Sequence, residues 1–219
     1  MKLKPIDIVF LIDVRGDMEP VVSAVKAMLK EMIDWLPTQQ DWRACVVGFR
    51  DIYGDGDDWL VVHPFVHQNP DAILHQIDSL NAFGGWDSKE SLLDALLEVC
   101  QWRSTPQDDR ISESEWRHIG DANRFILLVT NAEYHLSSRY GGTIYDVTSR
   151  LASNNLGLMY VAPDSSSYDQ FVGIPFSICL GRIEAPFTEN FIKGKDEFVT
   201  LAARCVLNRN SSIYVDVVL

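Results

Sequence analysis

Asp13, Arg15 and Asp17 alternate along Asp13-Val14-Arg15-Gly16-Asp17-Met18, directly after the apolar run Ile6-Asp7-Ile8-Val9-Phe10-Leu11-Ile12. A β-branched run that stops at an acidic turn and leads into an amphipathic stretch predicts strand, turn, helix. In an open α/β sheet, ligands meet the carboxyl ends of the strands, so this loop belongs on the functional edge. Carboxylates gathered there suit a metal ion or a basic side chain as counter-charge. More such residues follow later apolar segments: Asp51, Asp55, Asp57 and Asp58, then Asp87, then Asn131 and Glu133, then Asp164.

The elements that position these residues are read from hydrophobic periodicity. Residues 5–12 form a first strand. Val21, Val22, Val25, Leu29, Met32, Ile33 and Leu36 form one helical stripe that Pro37 ends. Residues 43–49 are a buried strand, residues 51–58 a Gly- and Asp-rich hairpin turn with a solvated tip, and residues 59–65 its partner strand. A short helix starts at Pro70. The Gly84-Gly85-Trp86-Asp87-Ser88 loop feeds a helix with Leu92, Leu93, Leu96, Leu97 and Cys100 on one face. Residues 101–123 read as a polar surface excursion, with a short helix over 112–118. Residues 125–129 are the most apolar strand, followed by a helix at 145–151, strands at 157–161 and 176–180, and a closing helix at 191–206. Residues 207–219 are a tail whose alternating Val215, Val217 and Leu219 could add a strand.

Alternating strands and helices predict an α/β doubly wound, mostly parallel sheet with one antiparallel edge strand and helices on both faces, in a single domain of 219 residues. The loops after residues 12, 50, 83, 130 and 162 then open on one edge and gather its acids.

The net charge of −12 argues against nucleic acid or an anionic membrane as partner and favours a basic protein surface or metal ions. Cys45, Cys100, Cys179 and Cys205 match no zinc spacing, and the first three sit in apolar segments as buried free thiols. Asp7 and Asp13 interrupt the first apolar stretch, which therefore lacks a signal-peptide core, and no apolar run of membrane-spanning length occurs; the expected location is cytoplasmic.

Catalytic motifs are not found: GxSxG, GxxxxGK[ST], HExxH and GxGxxG do not occur. A phosphatase with Asp13 as nucleophile would need a second Asp where Arg15 stands. Arg15-Gly16-Asp17 spells an adhesion tripeptide by coincidence, and His135 near Glu133 reads as a loop contact.

In order, these segments resemble the von Willebrand factor type A domain family, in an intracellular bacterial-type branch. Gly48-Phe49-Arg50-Asp51 is similar to a "GYRD" segment, Gly84-Gly85-Trp86-Asp87-Ser88-Lys89-Glu90 to "GGGDxPE", and Leu128-Val129-Thr130-Asn131-Ala132-Glu133-Tyr134-His135 to "LxTDAPxH". Trp102-Arg103 matches a "WR" that often follows the third helix. The resemblance runs over residues 6–168. It implies the doubly wound fold and a metal-ion-dependent adhesion site, in which an acid and two hydroxyls of the first loop, a Thr of the second and an Asp of the third bind Mg²⁺.

This chain departs from that pattern. Asp13 matches, but Arg15 and Asp17 stand at the two hydroxyl positions, Trp86 at the Thr and Asn131 at the third-loop Asp. Two arrangements balance the charge. Asp13, Asp17 and Asp87 can cage Mg²⁺ or Ca²⁺ with Asn131 supplying a carbonyl oxygen; or Arg15 can fold inward and bridge the carboxylates itself, with no cofactor, which is the preferred arrangement. The resulting expectation is a non-catalytic protein-binding module, a subunit or adaptor of a larger assembly. It would meet a basic partner through Asp13, Arg15, Asp17, Asp51, Asp55, Asp57, Asp58, Asp87, Asn131 and Glu133. The resemblance implies an ATPase, kinase or protease of the same system as that partner. The alternative is a metal-dependent hydrolase or phosphoesterase using Asp13, Asp17 and Asp87.

Overall fold

The computed structural model describes residues 4–34, 40–81, 89–107, 109–174, 177–184, 189–194, 196–197, 200 and 202. The strands are β1 (Ile6–Asp13), β2 (Trp42–Phe49), β3 (Leu60–Val62), β4 (Val66–His67), β5 (Lys89–Glu90), β6 (Asn123–Val129), β7 (Glu133–Tyr134), β8 (Leu156–Pro163) and β9 (Ser177–Ile183). The helices are α1 (Glu19–Asp34), α2 (Ile52–Asp55), α3 (Pro70–Asp78), α4 (Leu92–Gln101) and α5 (Ile144–Ser153). The main sheet has seven strands in the order β3-β2-β1-β6-β8-β9, with β4 also on β2. β1, β2, β6, β8 and β9 are parallel, whereas β3 and β4 run antiparallel to β2. The mostly parallel, doubly wound architecture is therefore the one the alternating pattern predicts.

β1 explains the centre. Its apolar side chains alternate between two cores, with Ile6, Ile8, Phe10 and Ile12 in one and Val9 and Leu11 in the other. The first core takes the α1 stripe Val21, Val25, Met28 and Met32 with Ile73 and Ile77 of α3. The second takes Leu92, Leu93, Leu96 and Val99 of α4 with Ile144, Val147 and Leu151 of α5. A strand covered on both faces must read as a near-continuous apolar run, and this one does. α5 ends at Ser153 with Asn154 as its C-cap, and Asn155 just beyond, with φ of 49°, turns the chain directly into β8.

Three expectations are corrected. Residues 51–58 do join antiparallel β2 and β3 through an exposed tip, but the turn is wound rather than open: they make α2, capped by Asp51, and then a 3-10 turn over Gly56–Trp59. The partner strand over 59–65 is broken into β3 and β4, and Pro64 lies in the gap without a backbone N–H to offer. Gln76 of α3 repairs the ladder there, accepting from Val46 N at 3.0 Å and donating to Pro64 O at 2.8 Å. Residues 112–118 form no helix. Arg43 draws the carbonyls of Ser112 and Glu115 to its guanidinium at 2.5 and 2.6 Å, which removes them from any helical ladder. The polar stretch 101–123 is thereby pinned, with Trp116, Arg117 and Thr105 buried.

Cys45 and Cys100 are buried free thiols, and Cys179 is half-buried. Among the described residues, no helix is long and apolar enough to cross a membrane. The Gly84–Asp87 loop, the helix end at Pro37, Cys205, the end of the closing helix and the 207–219 tail lie outside the described residues.

Candidate loop cluster at the carboxyl edge

Strand register brings the first loops together. Asp13 pairs with Phe49 across β1–β2, and Ile12 pairs with Val129 across β1–β6. The chain leaves β1 towards β2 on one side and returns as β6 on the other, so the β1–β6 boundary is where the winding reverses. In open α/β sheets such a reversal opens the crevice that receives ligands. Here the crevice holds side chains of both flanking loops.

Asp13, the last residue of β1, is fully buried. Its Oδ1 accepts from Arg15 N at 3.1 Å and its Oδ2 from Thr130 Oγ1 at 2.8 Å. Arg15 turns inward over it. Its Nη2 donates to Asn131 Oδ1 at 2.6 Å and to Asp17 Oδ2 at 3.3 Å. Its Nε faces Glu90 Oε1 at 3.3 Å and Asp13 Oδ2 at 3.8 Å. Asn131 Nδ2 closes the ring by donating to Asp17 Oδ2 at 3.1 Å.

Glu90 enters this cluster because β5 pairs in parallel with β7, and its carbonyl accepts from His135 N. Its side chain is 1% exposed, and neither carboxyl oxygen has a hydrogen-bond partner. Burial, reinforced by the charge of Asp13, pushes the Glu90 carboxyl up to about 9. Burial also pushes Asp13 up to about 6, against the opposing pull of Arg15 and Thr130.

A second knot lies beside the first. Asp51 Oδ2 caps α2 through Gly54 N at 3.1 Å, while its Oδ1 accepts from Ser91 Oγ at 2.9 Å and lies 3.2 Å from His135 Nε2. Ser91 Oγ accepts in turn from Ile52 N. The buried Arg50 donates to the carbonyls of Asp58 and Asn81 at 2.6 Å each, fixing the acidic turn from behind.

The edge acids thus divide. Asp13 and Asp51 are buried and engaged in loop structure, and Asp55 is half-buried. Asp17, Asp57, Asp58, Glu133 and Asp164 face outward, with Glu133 accepting from Ser165 Oγ and Asp164 beside Arg182. Asn131 is half-buried and Asp87 lies outside the described residues. Sequence reading gave no role to Glu90, Thr130, Ser91 or Arg50.

The described residues do not fit a divalent ion. The oxygens that would ligate it are turned to other groups: both Asp13 oxygens, Asn131 Oδ1 and Asp17 Oδ2 accept from N–H or O–H donors, and Glu90 Oε1 faces Arg15 Nε. The Arg15 guanidinium is the cation they face. Among the described residues, no group of three or more His, Cys, Asp or Glu side chains is placed to hold a metal ion.

This fold has solved counterparts. A von Willebrand factor type A protein from Catenulispora acidiphila superposes with a TM-score of 0.58 and 13% identity, over 93% of this chain and 43% of that one. Proximal thread matrix protein 1 from the mussel byssus gives 0.57 and 13%, over 92% and 47%. Its second crystal form gives 0.55 and 12%, over 92% and 46%. The chain spans less than half the length of each. No family model and no curated protein matches the sequence. These likenesses define the class at the level of fold: von Willebrand factor A-like, within the Rossmann-like architectures.

Proposed function

We propose that this chain is a non-catalytic protein-binding module, a subunit or adaptor that meets a basic partner surface with the outward acids of its carboxyl edge. The observation that carries this reading is the division of the edge. Asp13, Glu90 and Asp51 are consumed inward by loop structure, while Asp17, Asp57, Asp58, Glu133 and Asp164 remain at the surface of a chain with net charge −12. A rim of one sign steers an oppositely charged partner and sets register. A metal-dependent hydrolase draws no support from the described residues, whose acids around Arg15 have donors on their oxygens or, at Glu90, lie sealed from solvent.

Parallel affinity capture from the source organism tests the reading, with the wild-type chain and an Asp57→Asn/Asp58→Asn chain as baits at low and high salt. A basic protein retained by the wild-type bait at low salt, and lost from the variant, is the expected result. Equal retention by both baits would remove this edge as the interface.

A further inference from the structure

Tyr53 lies in α2, between the buried Asp51 that caps the helix and the outward Asp57 and Asp58 of the following turn. Its ring is 59% exposed and belongs to neither core. The ring packs edge-on against His135, with centroids 5.1 Å apart and planes at 79°. His135 is itself held from two sides: its Nε2 lies 3.2 Å from Asp51 Oδ1, and its backbone N–H donates to the Glu90 carbonyl at 3.2 Å. An aromatic side chain is thus braced at the surface, where most of it gains no burial. The contact joins the turn that carries Asp57 and Asp58 to the segment that carries the exposed Glu133 and Leu136. A braced, exposed ring between two acidic segments offers an apolar face to a flat cation and carboxylates to that cation's edge.

We propose that Tyr53 is the aromatic anchor of this edge and that it receives an arginine-bearing segment of a partner protein, one guanidinium lying over the ring while its N–H groups meet the Asp57 and Asp58 carboxylates. The inference rests on the basic-partner reading and names the side chain that partner presents. Charge complementarity selects a cation, because the rim is acidic and the chain carries −12. The ring then selects arginine over lysine. A guanidinium is planar and weakly hydrated, so it stacks on an aromatic face and keeps its edge for carboxylates; an ammonium is a compact, strongly hydrated point charge. Bracing by His135 reduces the side-chain freedom that Tyr53 would lose on binding, and tyrosine is among the residues that carry most binding energy at interfaces.

Fluorescence anisotropy at low salt, with labelled oligoarginine and oligolysine peptides of equal length, tests the proposal. The wild-type chain binds oligoarginine more tightly than oligolysine. Tyr53→Leu binds oligoarginine about two- to fivefold more weakly, the loss expected of one exposed cation–π contact, while Tyr53→Phe keeps the wild-type affinity. Tyr53→Gln, which suits an exposed helix position, shows the same loss and replaces Tyr53→Leu if that chain does not fold. Asp57→Asn/Asp58→Asn weakens both peptides. Undiminished oligoarginine binding by the Leu or Gln variant, or equal binding of the two peptides by the wild-type chain, overturns the proposal and leaves the basic-partner reading standing. Binding of neither peptide by the wild-type chain, or full binding of both by Asp57→Asn/Asp58→Asn, overturns that reading and the proposal with it.

Discussion

Arg15 Nη2 donates to Asn131 Oδ1 at 2.6 Å across 116 residues of sequence, joining the loop after β1 to the loop after β6. That bond spans the place where the sheet reverses its winding, which in this class of architecture is otherwise open to ligand. Asn131→Ala removes the acceptor and also the donor to Asp17. The expected cost is about 1–3 kcal/mol, that of leaving a charged donor short of a partner. Urea denaturation measures it, and native-state hydrogen exchange should show faster exchange confined to the two loops.

Glu90 makes stability depend on pH in a direction opposite to most surface acids. Its carboxyl sits near 9 in the folded chain against an ordinary 4.5. The folded chain therefore holds a proton that the unfolded chain has released. Its contribution is complete below pH 4.5 and drains away as pH rises towards 9. Asp13, at about 6 against 3.8, adds the same sign at lower pH. Above pH 6.5 the Glu90 effect should dominate, approaching the one-proton slope of about 1.4 kcal/mol per pH unit. Glu90→Gln cannot release a proton. Thermal melts from pH 6.5 to 8.5 should show the variant gaining on the wild-type chain as pH rises; parallel curves would refute this.

At the opposite end of the sheet, Asp7 is fully buried and receives Arg43 through both oxygens at 2.9 and 2.8 Å, and Arg117 N at 2.8 Å. Arg43→Ala removes both of the Arg43 bonds and leaves Asp7 with Arg117, whose Nη1 lies 3.5 Å from Oδ1, as its remaining counter-charge, so it should cost about 3 kcal/mol, the low end for a broken buried pair. The same substitution frees the carbonyls of Ser112 and Glu115. Limited proteolysis should then cut within residues 109–115 before the rest of the chain unfolds.

A Cβ on Gly48 of β2 would lie 2.8 Å from Leu80 Cδ2 and 3.3 Å from Val14 Cγ2, so a methyl group there forces the Leu80 side chain to move. Both contacts belong to the core under the first loop. Gly48→Ala should cost about 1–3 kcal/mol from overpacking, measured by equilibrium denaturation.

The parts of this molecule written locally were legible in its sequence. β1 could be read because both of its faces are buried and its composition says so, and Asp13 because an acid at the end of such a run has few other places to go. What escaped was written at a distance. Glu90 becomes a buried acid only because a two-residue strand at 89–90 pairs with one at 133–134, an event without a periodic signal. The 112–118 segment has helix-compatible residues, but its carbonyls are claimed by Arg43, some seventy positions earlier. The break at Pro64 was visible as a residue. Its repair by Gln76 was not, because a lone polar residue on a helix face does not announce which strand it will serve.

The outward acids carry recognition in the proposed function, and the inward ones carry structure. The most direct measurement is the salt dependence of the association rate between a captured partner and the wild-type or Asp57→Asn/Asp58→Asn chain. Both acids are exposed, and it is the Asp58 carbonyl that holds Arg50. The variant should associate more slowly at low salt, with a shallower salt slope and a dissociation rate close to wild type. Identical association rates and slopes for the two chains would contradict it.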